Sequence, residues 1–534
     1  VRAIIMSNNV IINCKSLIDV RNAQQNFALF ILKNKFIKCI SVHDKALIDI
    51  LQYNDGNLES IFYIKIMLNH TVFRDCHLSA GAAFTISEKI AMSNVMVFVI
   101  SCSFLKNTSP NLQGVLSMTA MIYLLISQSR FVDNQIDYVS MIILKEINLV
   151  ILLNNHLASN NILTDRGGTL EIQNSELVKI IFTYFYKNRI KGLGTSILIN
   201  KAKVVLLENS HFVANKGVVS CANSGDVKVF KLTVVRNFAT HYGILSFFQC
   251  RYIFISSSYF IYDTTNYGDI LWYLEPDFIL HSNCIFVYTS DPNHITKSKS
   301  FIKKAFGSTV IKISESFNGK YHNLYLLIRN CTLGNHKNHV LIIAPQVNTI
   351  HFIGLKIINN KIKGKAMVAI TESKYVMICN CTFQNNVMLK HISLFKIKLT
   401  NLHNLRMPMV EFSKSDYILV HKCIFQNNIM KSSHVLLLYD RIKFILNVND
   451  VFFHNKATMV SAANIYIIES QFVKNIHCKF VERKISGVGT IFYVTFTQHI
   501  QYINCTFLHD KLQVDKLKSK RHLRRSSLTH TRCN

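Results

Sequence analysis

Short apolar stretches recur along the chain with period-two alternation, as in Tyr252-Ile253-Phe254-Ile255, Tyr375-Val376-Met377-Ile378 and Ile500-Gln501-Tyr502-Ile503. An extended strand points successive side chains to opposite faces, so such stretches predict strands with one face buried. Each stretch runs into a signature: a small residue or Cys, a spacer, an aromatic or large apolar anchor, two further residues, then Asn or Asp. Clear copies are Cys102-Ser103-Phe104 with Asn107, Ser129-Arg130-Phe131 with Asn134, Ser210-His211-Phe212 with Asn215, and Ser258-Tyr259-Phe260 with Asp263. Others are Cys381-Thr382-Phe383 with Asn386, Cys423-Ile424-Phe425 with Asn428, Asp450-Val451-Phe452 with Asn455, Ser470-Gln471-Phe472 with Asn475, and Cys505-Thr506-Phe507 with Asp510. Weaker copies centre on Leu157, Phe185, Val234, Phe286, Leu333 and Ile357; from Phe104 to Phe286 the anchors advance by 27, 26, 28, 27, 22, 26 and 26 residues.

A period of this length is the mark of a repeat architecture. Past the Asn, several copies continue with Gly and another apolar strand, as in Gly217-Val218-Val219 and Gly243-Ile244-Leu245. About three short strands per unit cannot bury their own apolar face, but coils stacked at roughly 4.8 Å form continuous parallel sheets around one core. The expectation is an all-β, single-stranded right-handed parallel β-helix, a solenoid of about fifteen coils of roughly 22 to 28 residues. In such a stack the anchors form an interior ladder and the Asn residues a turn ladder bonded to one another and to backbone. Only 5 Pro and 18 Gly occur, too few to punctuate many hairpins, so Asn is the expected turn residue.

Residues 71–510 carry the repeat. Residues 1–70 keep the alternation without a clear anchor, as a capping region would, and 511–534 form a basic tail expected to be disordered. Irregular insertions are expected near 291–323, 387–416 and 476–500, the last hidden in the long step from Phe472 to Phe507.

Asn380-Cys381-Thr382-Phe383-Gln384-Asn385-Asn386 and its cognates resemble the repeats of the pectate-lyase-like superfamily of right-handed β-helix proteins, over roughly residues 70 to 510. The resemblance implies the fold and little about function, because that superfamily includes lyases, hydrolases, adhesins and binding proteins. A leucine-rich repeat has a similar period, but its Asn lies two residues before an apolar position, whereas Asn330, Asn380 and Asn504 lie three before theirs.

With 60 Lys and Arg against 30 Asp and Glu, the net charge of +30 favours a polyanionic partner: acidic polysaccharide, an anionic surface or nucleic acid. A basic drift in composition would give the same count. No uninterrupted apolar run is long enough for a transmembrane helix. The chain starts at Val1 without a secretory leader and is read as a fragment or a processed product. Asn-x-Ser/Thr sequons at Asn69, Asn107, Asn330, Asn380 and Asn504 would place it on a secretory route, outside the cell or at its surface, although three of them belong to the repeat itself.

The candidate chemistry is thin. Cys102, Cys284, Cys331, Cys381, Cys423 and Cys505 share the slot two before the anchor, where Ser also occurs, and read as small buried residues rather than a disulfide framework. Cys379-x-Cys381 with His421-x-Cys423 has poor spacing for structural zinc. Glycoside hydrolysis needs paired carboxylates; there is no Asp-Asp pair, and Asp263, Asp269 and Asp277, the densest acidic run, read as turn and strand positions. Arg189-Ile190-Lys191 and Arg441-Ile442-Lys443 read as solvated basic residues on an outer strand face. No catalytic, cofactor-binding or metal-binding residue is assigned and no cofactor is expected. The resulting expectation is a non-catalytic β-helix that binds acidic polysaccharide or a cell-surface glycan, with a divergent polysaccharide lyase or hydrolase second. Non-specific nucleic-acid binding ranks third, because the repeat shows no outward aromatic platform.

Overall fold

A computed structural model describes residues 2–15, 18–21, 27–41, 45–52, 63–79, 82–88, 94–110, 113–164, 167–191, 194–239, 243–261, 264–265, 269–287, 309–314, 324–336, 340–363, 366–389, 408–430, 435–457, 463–482, 490–509 and 527–531. The protein is an all-β parallel β-solenoid, with every strand pairing among the described residues parallel and in register between successive coils. It divides into two compact units, one of Val1–Tyr259 with Asp263–Gly268 and one of Phe260–Tyr262 with Asp269–Asn534.

One coil of the first unit serves for the rest. It has a leading strand Val219–Ala222, a second strand Asp226–Phe230, an anchor strand Thr233–Val235 and a closing strand Phe238–Ala239. Most coils that are described throughout thus supply four short strands rather than three; in four coils the first two run together, as in Leu116–Ser127 and Ile142–Leu153. Single residues in the left-handed region turn the corners: Asn223, Lys231 and Arg236 in this coil, at φ of 50, 51 and 57°. Such a corner is strained for most side chains and mildest for Asn and Gly. Asn accordingly recurs there, at Asn154, Asn209, Asn283, Asn330, Asn380 and Asn504.

The anchors stack as the repeat predicts. In the first unit Phe36, Phe73, Phe104 and Phe131 lie ring on ring at 4.7 to 5.0 Å, and Leu157, Phe185, Phe212 and Val234 continue the ladder in register. Ile11 and Phe36 are rungs of the same ladder, in a segment where the signature is too eroded to pick out. In the second unit Phe260 stacks on Phe286, Leu333 and Ile357 lead to Phe383, and Phe383, Phe425, Phe452, Phe480 and Phe507 stack in turn. One expected anchor is corrected. Phe472 lies on a second strand, paired with Phe444 and partly exposed, and the anchor of that coil is Phe480, two residues after buried Cys478. Both Phe472 and Phe480 sit within alternating apolar runs, and Ser470 mimics the small slot before the wrong one.

Two polar ladders satisfy the buried corners. Three residues past the anchor, Asn107, Asn134, Asn160, Asn188, Asn215 and Asn237 are all at most 1% exposed. The backbone N–H and side-chain amide of each of the first five donate to the Oδ1 of the next, at 2.9 to 3.2 Å. Each amide also donates to the anchor carbonyl of the preceding coil, as Asn188 does to Leu157 at 2.8 Å. Asn360, Asn386, Asn428 and Asn455 repeat the pattern in the second unit. Before Asn107 the slot holds Cys39 and Cys76, whose thiols point at the anchor carbonyls of Ile11 and Phe36 in the place of the amide.

The slot two before the anchor works similarly. Its side chain accepts the backbone N–H of its counterpart one coil earlier: Ser129 from Cys102, Asn155 from Ser129, Ser210 from Thr183, Asp450 from Cys423. The slot therefore asks for a small group that also hydrogen bonds. All six cysteines expected there are buried, five of them fully.

Within 291–323 only Thr309–Ser314 is described; the rest lies outside the described residues, as do 390–407 and 483–489. So does the tail from 510 to 526, after which Ser527–Thr531 pairs with His499–Ile503.

Asn188→Ala removes four side-chain hydrogen bonds, to the Asn160 N–H and amide, the Leu157 carbonyl and the Asn215 oxygen, but the Asn160 amide keeps the Phe131 carbonyl and the Asn215 oxygen keeps the backbone N–H of residue 188. At about 1–3 kcal/mol for a buried group left unpaired, the variant should lose about 2 kcal/mol in urea unfolding. A loss below about 1 kcal/mol would show that the ladder is incidental to stability.

Candidate functional site

Beyond the first coil, inward positions of the described strands are filled by the core, so any site must be built from outward side chains or from the loops between strands. The longest outward feature belongs to the second unit. The first residue of each second strand points out, and strand register aligns Phe278, Tyr325, Thr349, Tyr375, Tyr417, Phe444, Phe472 and His499 in one row. Ring centroids lie 5.2 Å apart for Phe278 and Tyr325, 5.4 Å for Tyr375 and Tyr417, and 5.1 Å for Phe444 and Phe472, with interplanar angles of 2, 12 and 3°. Parallel rings at these separations are offset rather than eclipsed, so ring edges and part of each face remain open. Tyr375 and Tyr417 are 45% and 48% exposed.

Thr349 breaks the row, and there the Tyr325 hydroxyl bonds His351 Nδ1 at 2.6 Å. Burial raises the Tyr325 hydroxyl and lowers the His351 imidazole, so both are neutral around pH 7. A second outward column, Leu327, His351, Met377, Leu419 and Leu446, flanks the row and is partly exposed. Along the other side runs a charged corner. Lys374 sits 5.5 Å over the Tyr375 ring, Lys414 bonds Glu372 at 3.1 Å, and Lys443 bonds Asp416 at 2.8 Å. Gln346 and Lys414 hold the Glu372 carboxyl below its usual range. An aromatic and aliphatic strip bordered by lysines can hold the apolar faces and the charges of an extended ligand without any chemical step.

This overturns the expectation that outward aromatics are missing. The row was overlooked because its members occupy the first position of a strand, one place before the buried alternation begins. It does not help a nucleic-acid reading, since rings already in mutual contact leave no gap for a base to enter.

The other candidate groups stay apart. Cys381 and Cys423 are fully buried while Cys379 and His421 are partly exposed on the opposite strand face, so the four do not converge. Among the described residues no three His, Cys, Asp or Glu side chains gather as a metal site would require. Asp263 lies outside the described residues. Asp269 is 4% exposed, accepts the Thr309 N–H at 2.7 Å and faces Lys312 at 3.5 Å; burial raises its carboxyl against the pull of that lysine. Asp277 lends its backbone carbonyl to Tyr325. Arg441 pairs with Asp440 and Lys443 with Asp416, around buried Ile442. Arg189 and Lys191 are exposed beside buried Ile190. One acidic pair that the sequence hides does align: Asp19 and Asp49 are side by side on adjacent strands, with Lys45 bonded to Asp19 at 2.7 Å.

The sequons separate by position. Asn107 is wholly buried in the ladder and Asn69 is half-buried, whereas Asn330, Asn380 and Asn504 are exposed corner residues. No helix among the described residues is long and apolar enough to cross a membrane.

No family model and no curated protein matches the chain. Among solved structures, a PL6 family alginate lyase, AlyGC, aligns over 99% of this chain and 96% of its own, with 10% identity and a TM-score of 0.18. At that score the fold rests on the strand register and not on the likeness.

Among the described residues, the one strongly perturbed carboxyl is inside. Asp450 is fully buried; its Oδ1 accepts the Cys423 N–H at 2.8 Å while its Oδ2 meets no donor, and burial pushes it up to about 7. The folded state therefore holds the proton more tightly than the unfolded chain. Its contribution is complete below the ordinary value of 3.8 and is lost as pH rises through about 7. Asp450→Asn, with an amide like that of Asn155 in the same slot, should remove this loss. Thermal melts should then show variant and native chain alike near pH 4 and the variant more stable by about 1–3 kcal/mol at pH 8. Parallel melting curves across that range would refute the assignment.

Proposed function

We propose that the protein is a non-catalytic binding solenoid that engages carbohydrate, with acidic polysaccharide or a cell-surface glycan as its ligand. The observation that carries this reading is the outward row from Phe278 to His499, with Lys374, Lys414 and Lys443 beside it. Sugar rings present apolar C–H faces that pack on aromatic and aliphatic surface, while a polymer's acidic groups meet the surplus positive charge of a chain at +30. A row repeated once per coil suits a polymer because many weak contacts add along its length.

A polysaccharide lyase or hydrolase is the second reading, favoured by the in-register Asp19 and Asp49. Release of products from uronic-acid polymers by the full chain would choose it over simple binding.

The full chain should bind an acidic polysaccharide matrix more tightly than a charge-matched unrelated protein does. The double variant Tyr375→Ala, Tyr417→Ala should weaken that binding about tenfold, two exposed aromatic contacts at about 0.5–1 kcal/mol each. Equal retention of the native chain and the control protein, in affinity electrophoresis at physiological salt, would dismiss the reading.

A further inference from the structure

The anchor strands of the first unit carry a different outward row. Register aligns Arg130, His156, Tyr184 and His211, with the His156 and Tyr184 rings stacked at 5.3 Å. Beneath the first two residues a groove of about 630 Å³ opens, lined by Leu105, Gln128, Arg130, Val132, Asn154 and His156 along with buried Ser129.

The lining is rich in donors and contains no carboxylate. Arg130 is exposed and makes no ion pair with any described residue, unlike Arg74, which has Asp75, and Arg441, which has Asp440. Gln128 uses its side-chain oxygen to accept from Ser101, which leaves its amide N–H groups for a ligand. The Asn154 side chain has no partner among the described residues. Gln128 and Asn154 are both corner residues, at φ of 51 and 53°, so the turns of two successive coils present them side by side. Arg130 and His156 sit on adjacent rungs, where two cations would repel one another. Burial and the Arg130 charge together keep His156 neutral. A bound anion would offset the unpaired Arg130 charge, and the planar guanidinium fork matches a carboxylate or sulfate edge with two parallel hydrogen bonds. Leu105 and Val132 give the groove an apolar floor that an inorganic ion does not need but a sugar ring does.

We infer that the groove at Arg130 is an oxyanion-binding site, which takes the carboxylate or sulfate group of an acidic sugar. Arg130 binds the charge, Gln128 and Asn154 donate to neighbouring oxygens, and Leu105 and Val132 support the ring. The site is separate from the aromatic row of the second unit and stands or falls without it.

The test is calorimetric titration of the full chain with galacturonate, galactose and inorganic sulfate. Galacturonate should bind saturably, galactose should not, and sulfate should compete with galacturonate. Arg130→Gln should weaken galacturonate at least tenfold with an unchanged melting temperature, because Arg130 is exposed. Arg130→Lys should recover part of that loss, and Tyr375→Ala with Tyr417→Ala should leave the binding unaltered. Sulfate binding with no advantage for galacturonate would make the site one for free oxyanions and overturn the sugar assignment. Equal affinity of Arg130→Gln and the native chain, or no saturable binding of either anion, overturns the site altogether. Retention on the polysaccharide matrix despite that result would leave the proposed function in place.

Discussion

A parallel solenoid has to bring its chain around several corners per coil, and every corner drives backbone N–H groups toward the interior, where an unpaired donor is costly. The protein meets this constraint by borrowing an acceptor from the neighbouring coil. At two slots, two residues before and three residues after the anchor, a short polar side chain in many coils reaches across and takes the buried N–H. The rest follows from that arrangement. A corner supported in this way tolerates left-handed backbone at residues as unsuited to it as Lys231 and Phe182, and flat strands between supported corners leave the anchors free to stack.

Much of this was legible in the amino-acid order, for a physical reason. Slots that act identically in every coil need the same residue types, so Phe104, Phe131 and Phe212 with Asn107, Asn134 and Asn215 announce themselves. What escaped was whatever solves the same problem with a different group. Cys39 and Cys76 stand in the Asn slot because a thiol can also donate to the anchor carbonyl, although less strongly than an amide. His336 does likewise, its Nε2 3.2 Å from the Phe286 carbonyl. The split of the long face into leading and second strands was invisible because its corner accepts Ala120, Glu146, Gln249 and Arg441 alike.

Functional legibility runs the other way. Outward positions owe nothing to the core, so their spacing carries no repeat signal, and a row such as Phe278, Tyr325, Tyr375 and Tyr417 emerges only when strand register aligns residues dozens of positions apart. The buried groups that looked chemically promising in sequence, the cysteines and Asp269, turn out to serve the coils. The unexplained side chains are at the surface: a row of stacked aromatic rings, and an arginine without an acid among the described residues.

The spacing between anchors varies widely, yet Phe286 still pairs in register with Leu333, and Phe383 with Phe425. The extra residues fall at two places: between a closing strand and the next leading strand, as at 390–407, and between a leading and a second strand, as at 53–62 and 315–323. Length is thus confined to two seams of the coil, while the pitch elsewhere is held by the ladders. A gene for such a protein can gain or shed sequence at those seams without disturbing its interior, and new surface would arise there as a by-product of drift rather than of redesign.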